Sequence, residues 1–117
     1  MTRSKYGNRP TTVDGHAFAS KAEARRYREL RLLEAAGEIR DLVLQPRFEL
    51  QAGFEYRGRR VLPITYVADF QYWDRRTGER VIEDVKGHRT EAYRIKAKLF
   101  VRLCREQHGW RFEEVEA

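Results

Sequence analysis

The sequence has a single cysteine, Cys104, which excludes an intramolecular disulfide and any zinc site built mainly on cysteine. It has no run approaching the roughly 18 apolar residues of a membrane span, so no membrane partner is expected. The start, Met1-Thr2-Arg3-Ser4-Lys5, has no apolar signal core. The chain is therefore expected to stay in the reducing cytoplasm, with Cys104 as a small buried packing residue. Internal repeats, low-complexity tracts and a dividing linker are also missing, and 117 residues suit one domain. Acid is in deficit: 18 Asp and Glu stand against 24 Lys and Arg, a net charge of +6. That balance favours a polyanionic partner, although charge also serves solubility alone.

What is present divides into an arm and a domain. Residues 1–12 mix Arg3, Lys5 and Arg9 with Gly, Asn, Pro and Thr and read as a flexible basic arm ahead of a domain at 13–117. Asp14-Gly15 is a tight-turn signal. A first helix is predicted from about Ser20 to Ala36, with Ser20 as N-cap, Gly37 as stop, and Tyr27, Leu30, Leu33 and Ala36 as its apolar stripe. Arg25, Arg26, Arg28 and Arg31 fall on its flanks and outer face. Strand patterns follow over 42–50, with Pro46 marking an edge or bulge, over 54–56, and as one long run from Val61 to Trp73. A hairpin loop at 74–78 leads to a strand over 79–86, ended by Gly87. Thr90 caps a second helix running to about His108, with Ala92, Ile95, Leu99 and Leu103 as its buried face, and Trp110–Val115 alternates as a last strand. The expected fold is α/β: a mixed sheet flanked by helices in the order helix, three or four strands, helix, strand.

Chemistry concentrates at three places. Asp84-Val85-Lys86 ends a predicted strand, where side chains alternate, so Asp84 and Lys86 share a face. A carboxylate that holds Mg²⁺ beside an ammonium that offsets charge on a phosphate is what metal-dependent phosphodiester hydrolysis requires; a surface ion pair has the same sequence. Asp69 lies inside a segment otherwise suited to a buried strand, where a carboxylate is costly unless paired or bound to a cation. If the two strands form the hairpin closed at Arg75–Gly78, Asp69 and Asp84 converge; a hydrogen-bonded structural Asp, or one on a bulge, is the other reading. Glu23 is the N3 residue of a capping box with Ser20, yet it shares a helix face with Tyr27 and Leu30, so capping and ligation both remain open.

Glu23 on a first helix, Asp69 on a strand and then Asp84-Val85-Lys86 resemble the PD-(D/E)xK nuclease superfamily, with Ala68 in place of its loosely kept first proline. Ser20-Lys21-Ala22-Glu23-Ala24, Ala68-Asp69-Phe70, Val81–Gly87, the Lys5-Tyr6-Gly7-Asn8 start and Leu44-Gln45-Pro46-Arg47-Phe48 are similar to a phage-associated branch of uncharacterised members. The resemblance spans nearly the whole chain. It implies a restriction-endonuclease-like core, Mg²⁺ with Mn²⁺ as substitute, and hydrolysis of DNA phosphodiesters. It also implies Glu23, Asp69 and Asp84 as metal ligands with the Val85 carbonyl as a further one, and Lys86 as the catalytic lysine. Glu83 faces the other way and reads as structural. Small helix-first members include Holliday junction resolvases of the archaeal type, which are symmetric dimers, so a homodimer acting on branched DNA is expected.

Lys86-Gly87-His88-Arg89 adjoins this site and is the best candidate for holding phosphates; Arg94, Lys96 and Lys98 open the second helix, Arg57, Arg59 and Arg60 form a basic turn, and Lys5 and Arg9 belong to the arm. Each of these groups also reads as a solvated basic face. The competing functions are a less selective nuclease of phage replication or packaging, a basic nucleic-acid-binding module without catalysis, and an interaction protein using exposed tyrosines and tryptophans.

Overall fold

Asp14 and Gly15, at φ 52° and 77°, turn the chain between two three-residue strands, β1 (Thr11–Val13) and β2 (His16–Phe18). The computed structural model describes residues 10–117; Lys5, Arg9 and most of the expected arm lie outside the described residues. Thr11 and Thr12, expected at the end of that arm, are paired in the β1–β2 hairpin instead.

Ser20 then caps α1 (Lys21–Ala35), its hydroxyl accepting the Glu23 N–H at 3.1 Å. Ala24, Tyr27 and Leu30 are buried, Leu33 packs at the margin, and Ala36 is exposed at the C-cap, so the apolar stripe begins one turn earlier than its sequence pattern suggests. The remaining elements are β3 (Ile39–Leu44), β4 (Arg47–Gln51), β5 (Phe54–Tyr56), β6 (Arg59–Val61), β7 (Ile64–Val67), β8 (Phe70–Asp74), β9 (Arg80–Lys86), α2 (Glu91–Glu106) and β10 (Trp110–Glu116). Four strands form the main sheet in the order β10-β9-β8-β3, with β10 parallel to β9 and the other pairs antiparallel. The sheet is therefore mixed, with a helix on each side.

The strand expected over 54–56 is β5, while the expected order omits β1, β2 and β6 and merges β3 with β4 over 42–50. The long run from Val61 to Trp73 is not one strand. Pro63 separates β6 from β7, and the ladder breaks again at Ala68-Asp69 before β8. A matching break falls at Gln45-Pro46, where Gln45 adopts φ 52°. The two breaks are tied together: Gln45 N–H donates to the Asp69 carbonyl at 3.0 Å, and Ala68 N–H to the Pro46 carbonyl at 3.1 Å. β3–β4 and β7–β8 thus run as one long antiparallel pair, bent where Pro46 lacks an N–H to continue a regular ladder.

Two clusters fill the two faces. On the α1 side, Ala24, Tyr27 and Leu30 meet Ile39, Phe70, Tyr72, Val81 and Val85. On the α2 side, Phe100 and Cys104 meet Phe48, Tyr66, Ala68 and Ile82, with Trp110 and Phe112 at the margin. Burying each large apolar side chain stabilises by about 1.5–3 kcal/mol. The buried face of α2 differs from the expected one. Ile95 and Leu99 are 54% and 36% exposed, Ala92 is also exposed, and only Leu103 of that set packs inward. Phe100 marks the buried face: it is fully buried, and its ring centre lies 4.7–5.4 Å from those of Phe48, Tyr66 and Phe112 in tilted and edge-on contacts. Cys104 is a buried packing residue as expected, and burial pushes its thiol up to about 11. No helix among the described residues is long and apolar enough to cross a membrane.

Candidate active site

The β8–β9 register pairs Phe70 with Glu83, which sets Asp69 opposite Asp84 at the point where the bent pair enters the sheet. The Asp69 backbone is fixed on both sides. Its N–H donates to the Glu83 carbonyl at 3.0 Å and its own carbonyl accepts from Gln45. Its carboxylate Oδ2 accepts the Val85 N–H at 2.7 Å. Asp84 is 1% exposed. Its Oδ2 accepts the Tyr66 hydroxyl, while Oδ1 stands 3.2 Å from Lys86 Nζ yet has no aligned hydrogen-bond donor. Lys86 keeps 29% of its side chain exposed, and its ammonium also lies 4.7 Å from the centre of the Tyr93 ring.

Electrostatics show the crowding. Burial, then the Asp84 charge and a hydrogen bond with Asp84, push the Asp69 carboxyl up to about 8, with Glu23 adding to the repulsion. Glu23 is half-buried on the first turn of α1. Burial raises its carboxyl, a backbone hydrogen bond at Ala19 and the Lys86 charge oppose that, and Asp84 adds to it. Tyr66 is driven strongly upward by burial and by Asp84, so its hydroxyl is a fixed donor.

Among the expected site residues, Asp69, Asp84 and Lys86 come together and Val85 supplies a backbone N–H to Asp69. Glu23 approaches from the α1 side within electrostatic reach of Asp84 and Lys86. It lines one cleft with Asp69, Gly15, His16 and Gln45 and a second with Lys86, Gly87, His88 and Thr90. No group of three His, Cys, Asp or Glu side chains among the described residues is spaced as a ready-made metal cage. The donor chemistry nonetheless suits a hard divalent cation: carboxylate oxygens, one of them buried and without a hydrogen bond, beside a second carboxyl that resists ionising while no cation is near. Glu23 also occupies its capping position, because Ser20 Oγ accepts the Glu23 N–H whatever its carboxylate does.

Ser20 and Thr90, the N-caps of α1 and α2, line the same cleft as Lys86, so two helix N-termini open toward it. Backbone N–H groups at helix starts favour anions such as phosphate. Tyr66 and Tyr93 were not legible as site residues. Tyr66 sits in an ordinary strand pattern and Tyr93 at N3 of a helix, and only the packing brings them to Asp84 and Lys86.

Glu83, next in sequence to Asp84, faces the other side. It is 1% exposed and receives Arg26 in a two-pronged pair, Nε to Oε1 at 2.8 Å and Nη2 to Oε2 at 2.6 Å, with the Tyr72 hydroxyl as a third donor. Arg26 is thus drawn inward from the expected outer flank, tying α1 to the sheet, and the pairing with Glu83 raises its pKa.

The basic candidates separate. Arg89 is committed to Glu114 and Glu116 at 3.1 and 2.8 Å, so it is not a free phosphate clamp. Arg94 and Lys98 are exposed on α2, Lys96 is half-buried there, and His88 lines the cleft beside Lys86. Arg57, Arg59 and Arg60 are exposed on the β5–β6 hairpin.

A family model described as "Protein of unknown function (DUF1064)" matches residues 3–115. Neither the curated proteins nor the solved structures give a match.

Proposed function

The chain belongs to the DUF1064 family, and from that premise and the geometry above we propose that it is a divalent-metal-dependent endodeoxyribonuclease. The observation that carries the reading is the convergence of Asp69, Asp84 and Lys86 at the end of β9, beside a cleft that Glu23 and two helix N-termini border. The chain order of the main-sheet elements supports it: α1, β3, β8, β9, α2, β10 reads helix, three strands, helix, strand. That is the order expected of a restriction-endonuclease-like core.

On this reading Asp69 and Asp84, with Glu23 and the Val85 carbonyl, hold Mg²⁺, or Mn²⁺ in its place. The bound ion supplies Lewis acidity at the phosphate and lowers the pKa of a water. Asp84 is held in one orientation by the Tyr66 hydroxyl. Lys86, steered by Asp84 and by the Tyr93 ring, offers a positive charge at the cleft where negative charge develops on the phosphate. The α1 and α2 N-termini orient the phosphate oxygens. His88 at the cleft, Arg94, Lys96 and Lys98 on α2, and Lys5 and Arg9 of the arm would supply positive charge that attracts DNA.

The substrate is branched DNA, cut by a homodimer in the cytoplasm. A single domain of this size reads backbone shape more readily than base sequence, and two symmetric nicks need two sites. The test is cleavage of a synthetic four-way junction beside linear duplex and single strand, with and without Mg²⁺, with the oligomeric state measured by sedimentation. Paired, Mg²⁺-dependent nicking of the junction is expected. Equal cutting of all three substrates would select the less selective nuclease, and no cutting with DNA binding retained would select the non-catalytic module.

A further inference from the structure

The β5–β6 hairpin stands apart from the rest of the fold. Each strand pairs with the other, and neither packs against any further element among the described residues. An isolated two-stranded ribbon is marginal in water, and this one spends its side chains on solvent rather than on a core. The register pairs Phe54 with Val61, Glu55 with Arg60 and Tyr56 with Arg59. Directly paired residues share a face, so Phe54, Tyr56, Arg59 and Val61 lie on one side and Glu55 with Arg60 on the other. Tyr56 is 64% and Phe54 43% exposed. None of Arg57, Arg59 and Arg60 forms an ion pair among the described residues.

The turn carries a second signal. Arg57 and Gly58 both have positive φ, 51° and 78°, the pattern of a two-residue turn that favours Asn-Gly. Arginine is a poor choice there on conformational grounds, yet it places a cation at the extreme tip. At the other end the ribbon is jointed closely. A Cβ on Gly53 would meet Arg60 Nη2 at 2.8 Å, the Val61 carbonyl at 3.0 Å and Pro63 Cδ at 3.1 Å. Arg60 therefore folds back over the joint, leaving Arg57 and Arg59 at the tip beside the exposed ring of Tyr56.

We propose that this ribbon is a branch-reading arm, on which Tyr56 and Phe54 stack against unpaired DNA bases while Arg57 and Arg59 hold the flanking phosphates. DNA as the partner rests on the nuclease reading; the ribbon's part in binding it stands on its own geometry. Exposed aromatic rings beside arginines match single-stranded nucleic acid, where stacking is tolerant of sequence and the cations follow the backbone. The arm lies close to the site along the chain, because β6 leaves its tip and, after Leu62-Pro63, the chain enters β7, which carries Tyr66, and then reaches Asp69.

The test uses the full chain in EDTA, so that binding is read without cleavage, against a labelled four-way junction with unpaired bases at its centre, a matched duplex and a single strand. Tyr56→Ala is expected to weaken junction and single-strand binding about tenfold and duplex binding little. Arg57→Asn is expected to keep or raise the melting temperature, since Asn suits the turn, while weakening binding to all three. Tyr56→Trp is expected to restore binding and to show fluorescence quenching on single strand, above the background of Trp73 and Trp110. Equal loss on duplex and junction in Tyr56→Ala would overturn the stacking role. Parent-like binding by both Tyr56→Ala and Arg57→Asn, in a protein that cleaves with Mg²⁺, would overturn the arm and leave the nuclease reading standing. A parent chain that neither binds nor cleaves DNA would overturn both.

Discussion

Asp69 and Asp84 face each other across the entry to the β8–β9 ladder, where burial and then the neighbouring Asp84 charge make the Asp69 carboxyl resist ionising. Burial and the Asp84 charge push the Asp69 carboxyl up to about 8, against about 4 in an unfolded chain. The folded state therefore binds more protons than the unfolded state between these values, and this group's contribution to metal-free stability falls as pH rises from about 4 to about 8. Chemical denaturation in EDTA at both pH values should show Asp69→Asn gaining stability relative to the parent at pH 8 and matching it near pH 4. Mg²⁺ should raise the parent's melting temperature at pH 8 and leave Asp84→Asn unmoved. A parent whose stability relative to Asp69→Asn does not change with pH would show that the two carboxylates do not repel.

Asp84→Asn and Lys86→Ala are each expected to lower Mg²⁺-dependent cleavage by at least about a hundredfold, the scale of losing one electrostatic contributor at a reacting phosphate. Junction binding in EDTA should persist in both. Circular dichroism checks that the variants fold; loss of fold and binding together would make these residues structural.

Arg26→Ala tests the opposite face. It leaves Glu83 buried with only the Tyr72 hydroxyl as partner, and breaking such a pair costs about 3 kcal/mol. Urea denaturation should show that loss, while cleavage by the folded fraction stays near the parent's. Neighbouring carboxylates at 83 and 84 thus answer to different assays, one to stability and one to activity.

Salt dependence separates the basic residues. Binding should weaken steeply with salt, and Arg94→Ala or Lys98→Ala should each reduce the slope of log K against log salt by about 1 where the residue touches a phosphate. Arg89→Ala should change the slope less, because Arg89 is already spent on Glu114 and Glu116. A larger change for Arg89 than for Arg94 would mean that those ion pairs open on DNA.

Local signals carried much of the architecture. Ser20 and Thr90 cap their helices where hydroxyl chemistry predicts, each accepting the N–H of the third helical residue. The Asp74–Gly78 loop closes the hairpin that sets Asp69 against Asp84, and the strand period correctly put Asp84 and Glu83 on opposite faces. Other features have no local signature. The Val61–Trp73 run looks continuous because its apolar pattern is continuous; its breaks come from pairing with a partner strand that is itself bent at Gln45-Pro46. α2 carries two apolar stripes, Ile95 with Leu99 and Phe100 with Cys104, and periodicity cannot rank them.

The sequence by itself determined the helices, the β8–β9 hairpin and the shared face of Asp84 and Lys86, because capping, turn chemistry and strand alternation act over a few residues. Only the tertiary structure decided which face of α2 is buried, that Arg26 crosses to Glu83, that Tyr66 and Tyr93 back Asp84 and Lys86, and that β5–β6 stands free of the core. Those outcomes depend on which distant surfaces meet and how well they fill space, and that is a property of the folded chain rather than of any segment in it.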